Sequence, residues 1–476
     1  MPPMPLDLHA GYWLFFLDWL IRLAALAWIP VRSPPAAARS WLLLVGFVPL
    51  LGLPLYLVLG HPWLARQRRE RQALASQVIR ERQGSLRALR WLPPGGEGEA
   101  SADIPRLVER LGDFMPMRGN AVELLDQYEH SLAALLADID GAREEVHLLY
   151  YLMFDDRVGA QVVASLQRAA ARGVRCRVLL DAVGAKPGLR AFARPLRESG
   201  VAVHAMLAGG LAWRSLSRMD LRNHRKLAVI DRRLGYIGSQ NLAEAEFVPG
   251  RPNRELVARV QGPAVRQLAA LFASDWLIET GERLEVDGDY TGTGVAPAQL
   301  LPGGPAYPFQ NARNVVVALI QHARRRVVLT TPYFVPDDVT LGALHLAALS
   351  GVDVQLVLSQ SNNQNLTRWA QRSYYEELLE AGVHIALYRP HFLHAKHLSV
   401  DDDIALIGSI NLDIRSFALN AEAGLLCYDR SVLERLRAIE ADYLADAEVV
   451  ELDSWRARPR WRRSVEGIAR LADSLI

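Results

Sequence analysis

Residues 41–59 form an apolar run with no charge over 19 positions. That is about the length of helix needed to cross the hydrocarbon core of a bilayer. Trp41 and Tyr56 suit its interfaces, and Pro49 and Pro54 would kink a spanning helix without forbidding it. An earlier segment, Gly11 to Val31, is apolar and aromatic but contains Asp18 and Arg22. These stand at i and i+4, where a helix pairs them and lowers the cost of burying either. The pattern therefore predicts an anchor over residues 1–62 with two spans, about 11–31 and 41–59. A cleaved signal peptide does not fit, because no basic stretch precedes the apolar one.

After the anchor the pattern changes. Between Arg66 and Arg90 there are eight Arg against two Glu. A basic flank beside a span reads as cytoplasmic and as a contact for anionic lipid headgroups, and a solvated amphipathic helix explains it as well. Arg32 and Arg39, between the two spans, argue weakly for the opposite topology. Pro93-Pro94-Gly95-Gly96 closes this segment, so residues 63–102 read as a basic helix and linker.

Beyond the linker the chain resembles itself. Residues 173–180 (GVRCRVLL) match 351–358 (GVDVQLVL), and Glu198-Ser199-Gly200-Val201 matches Glu380-Ala381-Gly382-Val383. Each half opens with a strand after a helix, Val146 to Phe154 in one and Val327 to Phe334 in the other. Helices alternating with short apolar strands predict an α/β sandwich in each half, over 103–287 and 288–476.

Composition narrows the function classes. Half the residues are hydrophobic and 22% are charged, so long disorder is excluded. The net charge is +2 and the basic segment alone supplies +6, which leaves the rest of the chain at −4. Nucleic-acid binding is not expected of such a body. Two cysteines, Cys176 and Cys427, build neither a disulfide framework nor a cysteine zinc site.

The chemistry lies in one motif written twice. The first half reads His224-Arg225-Lys226, four residues, Asp231, six residues, Gly238-Ser239-Gln240-Asn241. The second reads His394-Ala395-Lys396, four residues, Asp401, six residues, Gly408-Ser409-Ile410-Asn411, every position offset by 170. In an extended strand His and Lys at i and i+2 share a face. Lys226 and Lys396 then offer fixed positive charge to a phosphate, and His224 and His394 a nucleophile or a proton. Ser239, Asn241, Ser409 and Asn411 are placed to donate hydrogen bonds to phosphoryl oxygens. Asp231 and Asp401 belong to the catalytic motif but fit an orienting role better than a chemical one. Glu255 and Glu422 each follow their motif Asn at the start of an apolar strand, where a carboxylate can fix a histidine tautomer through Nδ1.

Phosphodiester exchange needs a nucleophile on one side of phosphorus and an acid in line on the other. Two halves related by a pseudo-two-fold axis would supply one histidine to each side, with neither metal nor other cofactor. His391, His394 and His397 suggest a metal cluster, but no carboxylate or cysteine completes a ligand spacing.

With these residues in view, the chain resembles the phospholipase D superfamily, whose signature is the paired HxKx4D pattern. It is most similar to the bacterial cardiolipin synthases of the two-span type. That resemblance is carried also by Arg222-Asn223-His224-Arg225-Lys226, Asp275-Trp276-Leu277-Ile278-Glu279-Thr280-Gly281, Thr331-Pro332-Tyr333-Phe334-Val335-Pro336-Asp337 and Asn411-Leu412-Asp413-Ile414-Arg415-Ser416. It implies a phosphatidyltransferase of the bacterial inner membrane, multi-pass, with its catalytic part cytoplasmic. Two phosphatidylglycerol molecules would give cardiolipin and glycerol, with His224 as nucleophile and His394 as general acid and base. Lys226, Lys396, Asn241 and Asn411 would clamp the phosphate. The expected partners are phosphatidylglycerol and anionic membrane lipids. A hydrolase, another headgroup transferase, and an inert scaffold or nucleic-acid module are the alternatives. The loop Gly209–Leu216, with Trp213, is a candidate for dipping into the lipid surface.

Overall fold

The computed structural model describes residues 6–33, 35–60, 66–93, 103–207, 220–286, 288, 290 and 292–471. The Gly209–Leu216 loop with Trp213 lies outside them. The chain divides into two compact units, one holding the residues up to Arg66 and the other most of the chain from Gln67 onward.

The first unit contains three helices, Leu6–Arg32, Pro35–Phe47 and Pro49–Leu59. The 41–59 run is thus not one helix. Val48 leaves helical geometry at φ −137°, and Pro49 starts the next helix at a position where its missing N–H is harmless. Among the described residues no helix is long and apolar enough to cross a membrane. Ala25, Ile29, Ala38, Val45 and Tyr56 form the small core of this unit. Asp18 and Arg22 pair at 2.9 Å, as their spacing predicts.

The second unit is a mixed α/β fold built on a duplicated domain. Its first half contributes β1 (Met117–Leu125), β2 (Glu145–Tyr150), β3 (Arg175–Asp181), β4 (Ala202–Met206), β5 (Leu227–Ile230), β6 (Leu234–Gly238) and β7 (Val257–Gln261). The second contributes β8 (Ala296–Gly303), β9 (Arg326–Thr331), β10 (Asp353–Ser359), β11 (His384–Tyr388), β12 (His397–Val400), β13 (Ile404–Gly408) and β14 (Asn420–Cys427), with β15 (Ala447–Val449) at the edge. Among the described residues these strands, with the short strand Arg222–Asn223 paired to β14, form one 16-stranded sheet. Its order is β15-β11-β10-β9-β12-β13-β14-β8-β1-β7-β6-β5-β2-β3-β4. Read outward from the β1–β8 seam, the order of one half repeats that of the other. β2, β3 and β4 run parallel, as do β9, β10 and β11, and the strands nearer the seam pair antiparallel.

The β2, β3, β9 and β10 runs are buried on both faces, which explains why they read as continuous apolar stretches. On one face, helices Ala264–Thr280 and Arg430–Ala445 pack into a single core drawn from both halves: Leu268, Phe272 and Trp276 join Leu433, Leu436 and Tyr443. On the other face each half has its own helices and core. The two sandwiches are therefore fused through the seam and share one interior.

Candidate active site

Each His-x-Lys segment sits in a connector just before its strand, not within the strand as an extended HxK pattern suggests. The connectors are gripped by the opposite half. Arg222–Asn223 pairs in parallel with Asn420–Ala421, and the His224 N–H donates to the Ala421 carbonyl at 2.8 Å. In the mirror arrangement Phe392–Leu393 pairs with Asn253–Arg254, and the N–H groups of His394 and Ala395 donate to the Arg254 carbonyl at 2.8 and 2.9 Å. The next residue along each gripping segment is a glutamate. Glu422 lies 2.9 Å from His224 Nδ1, and Glu255 lies 2.7 Å from His394 Nδ1. Each histidine thus takes its carboxylate from the other half.

Nδ1–H donates to the carboxylate in both pairs, which leaves Nε2 as the free nitrogen of each ring. Behind each glutamate stands the motif serine of its own half. Ser239 Oγ donates to Glu255 at 2.5 Å, and Ser409 Oγ donates to Glu422. Each serine oxygen also accepts a backbone N–H, from Leu256 at 2.9 Å and from Ala423 at 3.1 Å. The serines therefore hold the glutamates and do not present their hydroxyls to a phosphate, a correction to the sequence-based reading. The motif glycines make this possible. A Cβ on Gly238 would lie 2.4 Å from the Leu256 carbonyl oxygen, and one on Gly408 would lie 2.3 Å from that of Ala423.

The lysines complete the cluster. Lys226 Nζ donates to the His224 carbonyl at 2.7 Å, Lys396 Nζ does the same to His394, and both are fully buried. Burial, opposed by the glutamates, pushes Lys226 well below the usual ammonium range and Lys396 down to about 8. Burial likewise holds both histidines down at about 4, with Glu422 and Glu255 pulling the other way. Each lysine acts electrostatically on the histidine of the opposite half as well as on its own, so the two motifs form one site. Asn241 Oδ1 accepts the Leu152 N–H at 3.2 Å, while the Asn411 amide oxygen is buried without a partner.

Asp231 and Asp401 lie outside this cluster. They stand seven residues past their histidines, on the order of 20 Å along an extended chain. The Asp231 carboxylate accepts the backbone N–H groups of Arg143, Glu144 and Glu145 at 2.7–2.9 Å. Asp401 accepts those of Arg324, Arg325 and Arg326 at 2.8 Å. Both aspartates have positive φ, 49° and 46°, and each ties a strand turn to the start of the neighbouring strand. We expect Asp231→Ala to lower stability by on the order of 2–4 kcal/mol, since three N–H groups lose a charged acceptor. The folded enzyme should keep its turnover; a kcat loss without a fall in melting temperature would contradict this.

Several contacts were not legible from the motif. Tyr151 packs edge-on against His224 at 5.0 Å and lies 5.2 Å from Lys226 Nζ, and Phe247 packs on His394 at 5.1 Å. Arg225 is buried against Asp275, with Nε on the Glu422 carbonyl and Nη2 on that of Gly303, each at 3.0 Å. Ala395 occupies the matching place in the second half, so this brace has no counterpart there. His397 points away into the core, 3.4 Å from Glu440. Among the described residues no group of three or more His, Cys, Asp or Glu side chains could hold a metal ion.

The profile of a family described as "Cardiolipin synthase, PLD-like domain" matches residues 135–276 and 316–442, one stretch in each half. Cardiolipin synthase A of Pectobacterium carotovorum subsp. carotovorum is 33% identical, over 96% of this chain and 95% of its own. The chain belongs to the cardiolipin synthase family. Cardiolipin synthase A of Yersinia pseudotuberculosis is 32% identical over the same shares of the two chains. At 96% of the chain, the likeness to these relatives extends into the first unit as well as over both halves of the second. In structure, the phosphatidylserine synthase of Haemophilus influenzae is similar in fold, with a TM-score of 0.61 at 15% identity, covering 78% of this chain and all of that one.

Proposed function

We propose that this enzyme transfers a phosphatidyl group between two phosphatidylglycerol molecules, through a phosphohistidine, giving cardiolipin and glycerol. The observation that carries the mechanism is the crossed pairing of each histidine with the other half's glutamate. His224 Nε2 attacks phosphorus, and the P–O bond to the headgroup glycerol breaks as His394 gives that oxygen a proton. The second lipid's glycerol hydroxyl then gives its proton to His394 and attacks the phosphohistidine, and the P–N bond breaks. One phosphodiester replaces another, so no nucleotide enters the balance. Lys226, Lys396 and the two motif asparagines, Asn241 and Asn411, are the groups we assign to the phosphoryl oxygens.

The electrostatics suit this cycle. A histidine held at about 4 is neutral at working pH and can attack directly. The anionic phosphodiester favours the charged form of its neighbour, so substrate binding readies His394 as the acid. Burial of both histidines, whose side chains are 11% and 4% exposed, favours an alcohol over water as acceptor and so transfer over hydrolysis. For free enzyme and substrate, kcat/KM should fall on the acid side as His224 gains a proton, near pH 4. Above that pH it should decline steadily, because His394, also held at about 4 in the free enzyme, must take up a proton to act as the acid, and more steeply beyond about pH 8 as Lys396 loses its own. A flat profile between pH 4 and 9 would speak against the histidine and lysine roles together.

We assign the first unit to membrane attachment, with the catalytic halves on the cytoplasmic side. Trp13, Phe47 and Leu50 are 75%, 81% and 66% exposed, and many other large apolar side chains of these helices are also exposed, an unusual surface for contact with water. Full-length protein that left lipid vesicles on alkaline carbonate washing would contradict this. The central test supplies labelled phosphatidylglycerol in mixed micelles, without metal or nucleotide. Cardiolipin and free glycerol in equal amounts support the reading, and phosphatidic acid as the main product would replace it with a hydrolase.

A further inference from the structure

Within the His-x-Lys segments the two halves differ only at the middle position, Arg225 in one and Ala395 in the other. Both residues are buried. Arg225 reaches into the opposite half. Its Nε–H donates to the Glu422 carbonyl and an Nη2–H to the Gly303 carbonyl, each at 3.0 Å. Gly303 and Glu422 stand opposite one another as the last pair of the β8–β14 ladder, so one guanidinium forks across two strands. The remaining nitrogen, Nη1, pairs with Asp275 on helix Ala264–Thr280. Arg225 and Asp275 are 3% and 2% exposed, which seals the pair from water.

The second half keeps the frame for this brace but not the brace. Asp275-Trp276-Leu277 recurs as Asp442-Tyr443-Leu444 in helix Arg430–Ala445, and Trp276 and Tyr443 lie in the same shared core. Asp442, unlike Asp275, is exposed, and no arginine stands between His394 and Lys396. A buried ion pair adds little net stability over apolar residues of the same volume. What this one holds is the backbone of Glu422, whose side chain bonds His224 Nδ1 at 2.9 Å. Arg225 also follows His224 directly in the chain, so a single side chain ties together both partners of that bond.

We propose that Arg225, locked by Asp275, is a positioning residue for the His224–Glu422 pair alone. It sets the His224 ring for attack on phosphorus and has no part in the proton transfers of His394. The step it governs rests on the phosphohistidine reading above.

The test is a mutant cycle on the full-length protein in mixed micelles, read as the burst of nitrophenol from a p-nitrophenyl phosphodiester of the lipid. That substrate needs His224 but no acid. Removing one member of the buried pair would strand the charge of the other, so both are replaced, Arg225→Met with Asp275→Leu. The burst rate should fall about 10²-fold, as for a small misplacement of a reacting group. The half-saturating substrate concentration should change by less than about threefold. Added to Glu422→Ala, the same pair of changes should slow the burst by no more than about threefold further, and added to Glu255→Ala by the full amount. Arg225→Lys keeps a charge for Asp275 but cannot fork across two carbonyls, so its burst should lie between those of the parent and the double variant. If the double variant does not fold, the cycle is run with Arg225→Lys. Equal losses on the two glutamate backgrounds, or a lower melting temperature with an unchanged burst, overturn the proposal. Phosphatidylglycerol turnover is measured through the same cycle. A parent enzyme without a burst would remove the phosphohistidine, and phosphatidic acid as product would remove the transferase reading. In either case a turnover loss that vanishes on Glu422→Ala and persists on Glu255→Ala keeps the brace, and equal losses on both remove it.

Discussion

His394→Ala is expected to abolish cardiolipin formation, by about 10⁴-fold or more, yet to retain a burst with a p-nitrophenyl phosphodiester of the same lipid. Nitrophenolate leaves without a proton, so the acid is dispensable for the first step. His224 should still attack, release about one equivalent of nitrophenol and stall as the phosphohistidine, because no base remains to activate the incoming alcohol. His224→Ala should show neither burst nor turnover with either substrate. The comparison also fixes the order of the histidines, which the symmetry of the two motifs leaves open. A burst in His224→Ala and none in His394→Ala would reverse the assignment, and a burst in neither would remove the covalent intermediate.

The second large effect follows from the crossed carboxylates. Glu422→Gln should behave like loss of His224, and Glu255→Gln like loss of His394, although each glutamate belongs to the half opposite the histidine it serves. A glutamine keeps the shape but not the charge that favours Nδ1–H and the imidazolium, a change that costs on the order of 10²–10⁴ in rate in comparable His–carboxylate pairs. With the nitrophenyl substrate the Glu255→Gln burst should return to within about tenfold of the parent enzyme, while Glu422→Gln should stay slow. Equal rescue of the two variants would mean that the carboxylates serve a shared function rather than one histidine each.

How much of this was legible in the sequence differs by element. The two HxKx4Dx6GSxN motifs and the α/β alternation were plain, because each is a local spacing. The crossing was not, because it depends on β1 meeting β8 edge to edge, which no local pattern encodes. A signal did exist: Asn253-Arg254-Glu255 recurs as Asn420-Ala421-Glu422. Its offset is 167 rather than 170, since the first half carries three more residues between the motif asparagine and this triplet, and a search at one fixed offset passes over it. Ser239 and Ser409 were read as phosphate donors because their spacing is equally good for either partner. Only the glutamate within reach decides. Asp231 and Asp401 share the motif for a folding reason, collecting backbone N–H groups at the far end of the strand. In the first unit the apolar run was visible, but the break at Val48 and Pro49 turned one expected helix into two.

The seam between β1 and β8 has a consequence for synthesis on the ribosome. A nascent chain that has emerged as far as the end of β8 contains His224, Lys226 and Glu255, but neither the carboxylate that orients His224 nor the histidine that Glu255 serves. Its connector lacks the Asn420–Ala421 backbone that grips it. A truncated or half-translated product therefore holds neither histidine–carboxylate pair. Both histidine–carboxylate pairs are complete only when the strand carrying Asn420–Cys427 has closed on the sheet.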